Sequence, residues 1–298
     1  MNQVFGRVNG HLIGLAMKEA VRRAIHVIEA KRFLFEAKAK TTDDNPSKED
    51  FVTDADIAAQ RVYEKLLRES FPDYGIVAEE NHLAVDCSMP DTDLWFTVDP
   101  LDGTKAYIRG QSHGVGTMIS LVQDANIVAA FVGDVMTGEI YGYRPGSEKV
   151  HRITSNGRAV QLAIDAERSL ADQYVLLRDD PDLYSPLAQK LMRRKKDGGI
   201  VKGMEITGGS IGIHMARMWK GEVGMTILRP GPNTPWDLNP IVGISEMLGI
   251  RFIPISDFAG NAYGGRAYEV SRDIQVLNEE VVAIHISRFD EVAECLDR

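Results

Sequence analysis

The run Leu94-Trp95-Phe96-Thr97-Val98-Asp99-Pro100-Leu101-Asp102-Gly103-Thr104 joins an apolar strand signal to a turn that carries two acids. Leu94 to Val98 reads as a buried strand, ended by Asp99-Pro100. Proline fixes φ and glycine permits a tight bend, so Asp99 and Asp102 can be brought to one side of the turn. The carbonyl of Leu101 can point the same way. Two carboxylates and a carbonyl so placed make a hard-oxygen site of the kind magnesium prefers. Just beyond them, the amides of Gly103 and Thr104 can begin a helix, whose N-terminus cradles an anion.

Working outward, Thr117 to Val122, Ile127 to Val135 and Glu139 to Tyr143 are strand-like runs. They are separated by Asp124-Ala125-Asn126 and Thr137-Gly138, which predicts an antiparallel meander. Upstream, Leu15, Val21, Ala24, Ile25 and Ile28 recur at helical spacing between about Leu12 and Ile28. The polar stretch Lys38 to Asp50, with Asp43-Asp44-Asn45-Pro46-Ser47 inside it, reads as an exposed loop. Thr53-Asp54-Ala55-Asp56 then opens a second helix, with Ala58, Val62 and Leu66 on one face and a stop at Phe71-Pro72.

The rhythm changes near Arg144-Pro145-Gly146-Ser147. Beyond it, strand candidates at Tyr174–Leu177, Gly199–Lys202, Glu222–Leu228, Arg251–Ile255 and Val281–Ile286 alternate with helical patterns. Those helices fall at Tyr184–Arg194, Ile211–Lys220, Leu238–Leu248 and Arg288–Leu296. Residues 1–147 therefore read as an α+β domain with an antiparallel sheet. Residues 148–298 read as an α/β domain with a mixed sheet.

Composition narrows the function classes. The 298 residues suffice for a sizeable core, and 44% hydrophobic with 26% charged residues is ordinary globular composition. A formal net charge of -9 weighs against nucleic-acid binding by general electrostatics. A small phosphate can still bind if something local and positive overrides that field. Two distant cysteines, Cys87 and Cys295, make no disulfide framework. The first residues lack a signal-peptide pattern, and no apolar run approaches a membrane span. The expectation is a cytoplasmic protein with no membrane partner.

Acids gather at two more places, Ala78-Glu79-Glu80 and Pro235-Trp236-Asp237. Each acid has a plain reading by itself. Asp-Pro-x-Asp-Gly is a common surface turn, and Glu79-Glu80 can be a solvated pair. Asp56 can serve only to answer Thr53 at a helix start, and Asp237 only to cap Leu238. Together, acids beside anion donors conflict unless a cation sits between them, and a phosphate bridged by Mg²⁺ resolves that conflict. None of these segments contains a Cys or His, which argues against zinc.

The combination resembles the inositol monophosphatase family, within the lithium-sensitive, magnesium-dependent phosphatases. The motifs are Asp50-x-Val52-Thr53-x-x-Asp56, Phe71-Pro72, Ala78-Glu79-Glu80, Trp95-x-x-Val98-Asp99-Pro100-Leu101-Asp102-Gly103-Thr104 and Pro235-Trp236-Asp237, in the family's order. The resemblance implies a layered α/β/α/β/α fold, two or three Mg²⁺ ions and, often, a homodimer. It implies that Glu79, Asp99, Asp102, Asp237 and the Leu101 carbonyl are metal ligands, with Glu80 an acid behind or beside them. Asp56 and Thr104 resemble the pair that orients and deprotonates the attacking water, with Glu79 sharing the catalytic role. Gly103, Thr104 and Asp102 would lie at the phosphate. The reaction implied is hydrolysis of a small phosphate ester by metal-activated water.

Substrate signals diverge. Lys105 and Leu228-Arg229-x-Gly231-Pro232 resemble the bisphosphate nucleotidase branch, and Arg229 suits a second phosphate. Ala106-Tyr107-Ile108-x-Gly110 with Gly116-Thr117-Met118-Ile119 resembles the histidinol-phosphatase branch. Gly208-Gly209-Ser210 falls in the region where family members contact the rest of the substrate, which makes Ser210 a candidate contact. Two rival classes stay open. Gly208-Gly209-Ser210-Ile211-Gly212 fits a nucleophile elbow, with Asp237 and His285 following in the order of a serine esterase. A non-catalytic binder of metal and phosphate is the other.

Overall fold

The computed structural model describes residues 4–34, 36–39, 51–258 and 267–297. Of the loop expected over Lys38 to Asp50, Lys38 and Ala39 belong to a short strand, Ala37–Ala39, paired antiparallel with Phe51–Thr53. The remainder, with Asp50 of the first motif, lies outside the described residues.

Seven α-helices are present among the described residues: α1 Gly10–Lys31, α2 Asp54–Ser70, α3 Thr104–Ile108, α4 Pro186–Met192, α5 Ile211–Trp219, α6 Pro235–Met247 and α7 Phe289–Asp297. Asn9 caps α1 by accepting from Leu12 N at 3.0 Å, and the helix buries Ile13, Met17, Val21, Ala24 and Ile28. Leu15, expected on that stripe, faces outward at 43% exposure. In α2 the fully buried line is Ala59, Tyr63 and Leu67, one residue along from the expected Ala58, Val62 and Leu66. The reason lies in the sheet beneath: the Tyr63 hydroxyl reaches Thr117 Oγ1 at 2.7 Å and fixes the helix's rotation.

An eight-stranded sheet runs in the order Ala159–Gln161, His151–Ile153, Ile140–Tyr143, Asn126–Asp134, Gly116–Gln123, Leu94–Asp102, Gly75–Ala78, Leu83–Val85. Its meander is antiparallel as expected. Asp124 and Ala125 both take positive φ, the geometry of a two-residue hairpin turn between Gln123 and Asn126. The sheet runs past Arg144–Ser147 to Gln161. One pair departs from the antiparallel pattern: Gly75–Ala78 lies parallel to Trp95–Val98, with Ala78 opposite Val98. Parallel strands run toward the same edge, so Glu79 and Asp99, the next residues along, stand side by side there.

The second sheet is mixed, in the order Gly203–Ile206, Tyr174–Leu177, Met225–Leu228, Val281–His285, Ile250–Pro254. The strand expected at Gly199–Lys202 stands instead at Gly203–Ile206. Val201 makes an isolated bridge with Arg194, so this stretch hugs the end of α4 before the chain joins the sheet.

Among the described residues, three large apolar cores separate five layers. The first lies between α1 with α2 and the large sheet. The second holds α5 and α6 between the sheets, with Met118, Val132, Met215, Trp219, Ile241 and Ala283. The third lies between the far face of the small sheet and α4 with α7. Strand Tyr174–Leu177 shows the alternation: Leu176 faces the middle core, while Val175 and Leu177 face the outer one. The order is α/β/α/β/α. Among the described residues no helix is long and apolar enough to cross a membrane.

Candidate active site

The site begins where the strand Leu94–Asp102 breaks its register. Asp99 pairs with Met118 and Asp102 with Gly116, so an extra residue bulges out between the acids. Asp99 Oδ1 accepts from Leu101 N at 3.0 Å, which tightens the turn. Gly103 follows at φ +92°, and a β-carbon there would stand 2.4 Å from Gly114 O and 2.6 Å from Ser210 N. Only glycine permits this approach. It lets the start of α5 close on the turn.

Asp237 arrives from the middle layer. It is the third residue of α6, capped by Thr234, whose hydroxyl donates to Asp237 Oδ2 at 2.8 Å. Asp56 uses the same device in α2, where Thr53 N donates to its Oδ2 at 2.7 Å. A threonine three residues ahead thus holds each acid at a helix start.

Asp99, Asp102 and Asp237 converge, each offering an oxygen within 4.8 Å of the other two. Asp99 and Asp102 are 3% and 5% exposed. Burial pushes Asp99 well above the usual carboxylate range, followed by the charges of Glu79, Asp102, Asp237 and Asp56. Burial, then Asp102, raises Asp237 to about 6. Glu79 stands outside the trio but close enough that its charge is the largest felt by Asp99. Its backbone N–H donates to Val98 O at 3.2 Å. The Gln60 side chain clamps Glu80 in both directions, donating to its O at 2.7 Å and accepting from its N at 2.8 Å.

This donor set fits a divalent cation. It is all oxygen and strongly like-charged, and ionised carboxylates packed this way cost several kcal/mol without a compensating cation. Such a set suits Mg²⁺.

Beside the trio, Thr104 Oγ1 lies 3.2 Å from Asp56 Oδ1 and 3.2 Å from the Leu101 carbonyl. As first residue of α3, Thr104 has an amide with no intrahelical acceptor. Thr104 thus links Asp56 of one helix to the turn that carries Asp99 and Asp102.

Ser210 is buried at 1% exposure. Its hydroxyl donates to Asp102 and accepts from Ile213 N at 2.9 Å. Asp102 also accepts from Ile211 N at 3.0 Å and Gly212 N at 2.7 Å. The first turn of α5 therefore grips Asp102. The esterase reading fails on these contacts: Ser210 bonds to a carboxylate, and His285 Nδ1 bonds to Ser287 Oγ at 2.8 Å. Arg229 lies 3.6 Å from Asp179 and over the Tyr184 ring.

Two participants had no sequence signal. Gln60 is a polar residue within an amphipathic helix, and Arg178 is one charge after a short strand. Arg178 Nη2 donates to Gly209 O at 2.6 Å, and its charge pulls Asp237 partly back down.

A cluster of acids able to hold a metal, set where the large sheet meets the middle helical layer with a threonine–aspartate pair beside it, fits the class of metal-dependent phosphatases. The chain belongs to the inositol monophosphatase family, which it matches over residues 12–275. It is 28% identical over 210 residues to a histidinol-phosphatase of Chlorobaculum parvum, covering 70% of this chain and 71% of that one. It is 33% identical over 117 residues to the Nus factor SuhB of Xylella fastidiosa, covering 39% of each chain. The match to SuhB thus spans well under half of that relative. The extragenic suppressor protein SuhB of Bartonella henselae has a similar structure, with a TM-score of 0.71 at 17% identity, covering 96% of this chain and 99% of that one. An IMPase/NADP phosphatase complexed with Mg²⁺ and phosphate aligns with a TM-score of 0.70 at 16% identity, covering 96% of this chain and 95% of that one.

Proposed function

We propose that this protein is a Mg²⁺-dependent phosphomonoesterase acting on a small phosphorylated metabolite. The observation that carries the reading is the convergence of Asp99, Asp102 and Asp237 within 4.8 Å from segments far apart in the chain. Asp99, Asp102, Asp237, Glu79 and the Leu101 carbonyl would hold the metal. When bound, Mg²⁺ neutralises the ester's charge and acidifies water.

The chain's own residues do the rest. Thr104 Oγ1, donating its hydrogen bond to Asp56 Oδ1, offers a lone pair that orients a water. Asp56 Oδ1 is placed to take the proton through that hydroxyl. The amides of Gly103 and Thr104 hold phosphate oxygens at the start of α3. Ser210 and the first turn of α5 keep Asp102 aimed, and Gln60 keeps the Glu79-Glu80 backbone in place.

Two or three ions, inhibition by lithium, a homodimer and a cytoplasmic location complete the proposal. Lithium inhibition is supported by a staphylococcal inositol monophosphatase soaked in LiCl as an inhibitory complex.

The test is Mg²⁺-dependent phosphate release from inositol 1-phosphate, adenosine 3′,5′-bisphosphate, fructose 1,6-bisphosphate and histidinol phosphate, with and without lithium. Release from at least one, nearly abolished in Asp99→Asn, is expected. Full turnover by a purified Asp99→Asn protein overturns the assignment.

A further inference from the structure

The small sheet sends three parallel strands, Tyr174–Leu177, Gly203–Ile206 and Met225–Leu228, toward one edge. In open α/β sheets the crevice outside the carboxyl ends of such strands is where ligands sit. The residues just past those ends are Arg178, Thr207-Gly208-Gly209 and Arg229. The same edge leads into Ser210, which bonds to Asp102.

The two arginines differ in their commitments. Arg229 lies 3.6 Å from Asp179, which offsets its charge. Arg178 is exposed, and among the described residues it has no ion-pair partner. Its Nη2 donates to Gly209 O at 2.6 Å, one residue from Ser210. That contact holds the guanidinium while leaving other N–H donors of its planar fork available. In a chain of net charge -9, an unneutralised cation beside the acid site is a local exception. Its charge reaches Asp237.

We propose that Arg178 reads a second anionic group on the substrate, a carboxylate or a phosphate set apart from the phosphate that is cleaved. This rests on the phosphomonoesterase reading above. The metal ligands serve the scissile phosphate, and Arg178 serves the other end of the molecule. The guanidinium takes the second anion by charge-assisted hydrogen bonds, which strengthen where water is partly excluded.

Two matched pairs test this in the full-length protein with Mg²⁺: glycerol 2-phosphate against 2-phosphoglycerate, and fructose 1-phosphate against fructose 1,6-bisphosphate. The first pair adds a carboxylate and the second adds a phosphate, so the two sources of charge are separated. Wild type is expected to favour the doubly anionic member of at least one pair by roughly 10- to 100-fold in kcat/KM. Arg178→Met brings that ratio to within about threefold of one, chiefly through KM, and Arg178→Lys restores part of it. The ratio is taken within each variant, so a general loss of activity cancels. Wild type without a preference in either pair overturns the proposal. So does an Arg178→Met protein that slows both members equally, which marks an arginine that only pins Gly209. Absence of phosphate release from all four compounds, with release from inositol 1-phosphate, adenosine 3′,5′-bisphosphate or histidinol phosphate, overturns this inference alone; absence of release from those as well sinks the phosphomonoesterase reading, and this inference with it.

Discussion

Replacing Asp237 with asparagine removes one negative charge from the acid cluster and keeps the shape of the side chain. Burial, and next the charge of Asp102, lifts Asp237 from 3.8 to about 6. In metal-free protein the folded state keeps a proton that the unfolded chain gives up across that interval. Stability therefore falls as pH rises from about 4 to about 6, and levels off above. The rise from 3.8 to about 6 corresponds to about 3 kcal/mol. Asparagine does not titrate, and its carbonyl can still accept from Thr234 Oγ1. In EDTA at pH 7 the variant is expected to be more stable than wild type by up to about 3 kcal/mol, with the two converging near pH 4. Carboxylates held low elsewhere, such as Asp54 beside Lys31, titrate alike in both proteins and cancel in the difference. Excess Mg²⁺ reverses the order, because the ionised Asp237 carboxylate is the better ligand. Urea unfolding followed by circular dichroism, across pH and with EDTA or Mg²⁺, measures each of these. Wild type at least as stable as the variant in EDTA at pH 7, or Mg²⁺ stabilising both equally, would refute the reasoning.

Three further outcomes are expected. Thr104→Val loses the hydroxyl that bridges Asp56 and the Leu101 carbonyl; kcat for phosphate release should fall about 100-fold or more with KM little changed. An unaltered kcat would take the threonine out of proton handling. Gly103→Ala places a β-carbon 2.4 Å from Gly114 O at φ +92°, so a cost of about 2–4 kcal/mol should appear as a Tm lowered by several degrees. Burial lowers His214 to about 3, so the folded state refuses a proton that the unfolded chain binds below about 6.5. Stability should decline as pH drops below that value, and His214→Gln should flatten the decline while losing the 2.6 Å contact to Thr226.

Much of the candidate site was legible because its residues sit in local patterns. The Asp99-to-Thr104 run announces itself by acids, proline and glycine within one turn. Thr53 to Asp56 carries its own capping pattern, as Thr234 to Asp237 does. Element types were legible too, since periodicity is written into the chain. Errors fell where packing chooses among equivalent options. The face of α2 turned by one residue because a buried tyrosine found a threonine in the sheet. The strand expected at Gly199–Lys202 moved on to Gly203–Ile206, because Val201 first bridges Arg194.

What the amino-acid order determined, then, is the set of elements, the acids they carry and the hard-oxygen character of the site. Tertiary structure alone decided which acids meet. Parallel pairing of Gly75–Ala78 with Trp95–Val98 sets Glu79 beside Asp99, and layer stacking brings Asp237 to Asp102. It also gave Ser210 to Asp102 and left Arg178 exposed at the rim without an ion-pair partner among the described residues. Contacts of this kind join residues far apart in the chain. Nothing in the local pattern encodes them, because they follow from how whole layers bury their apolar faces.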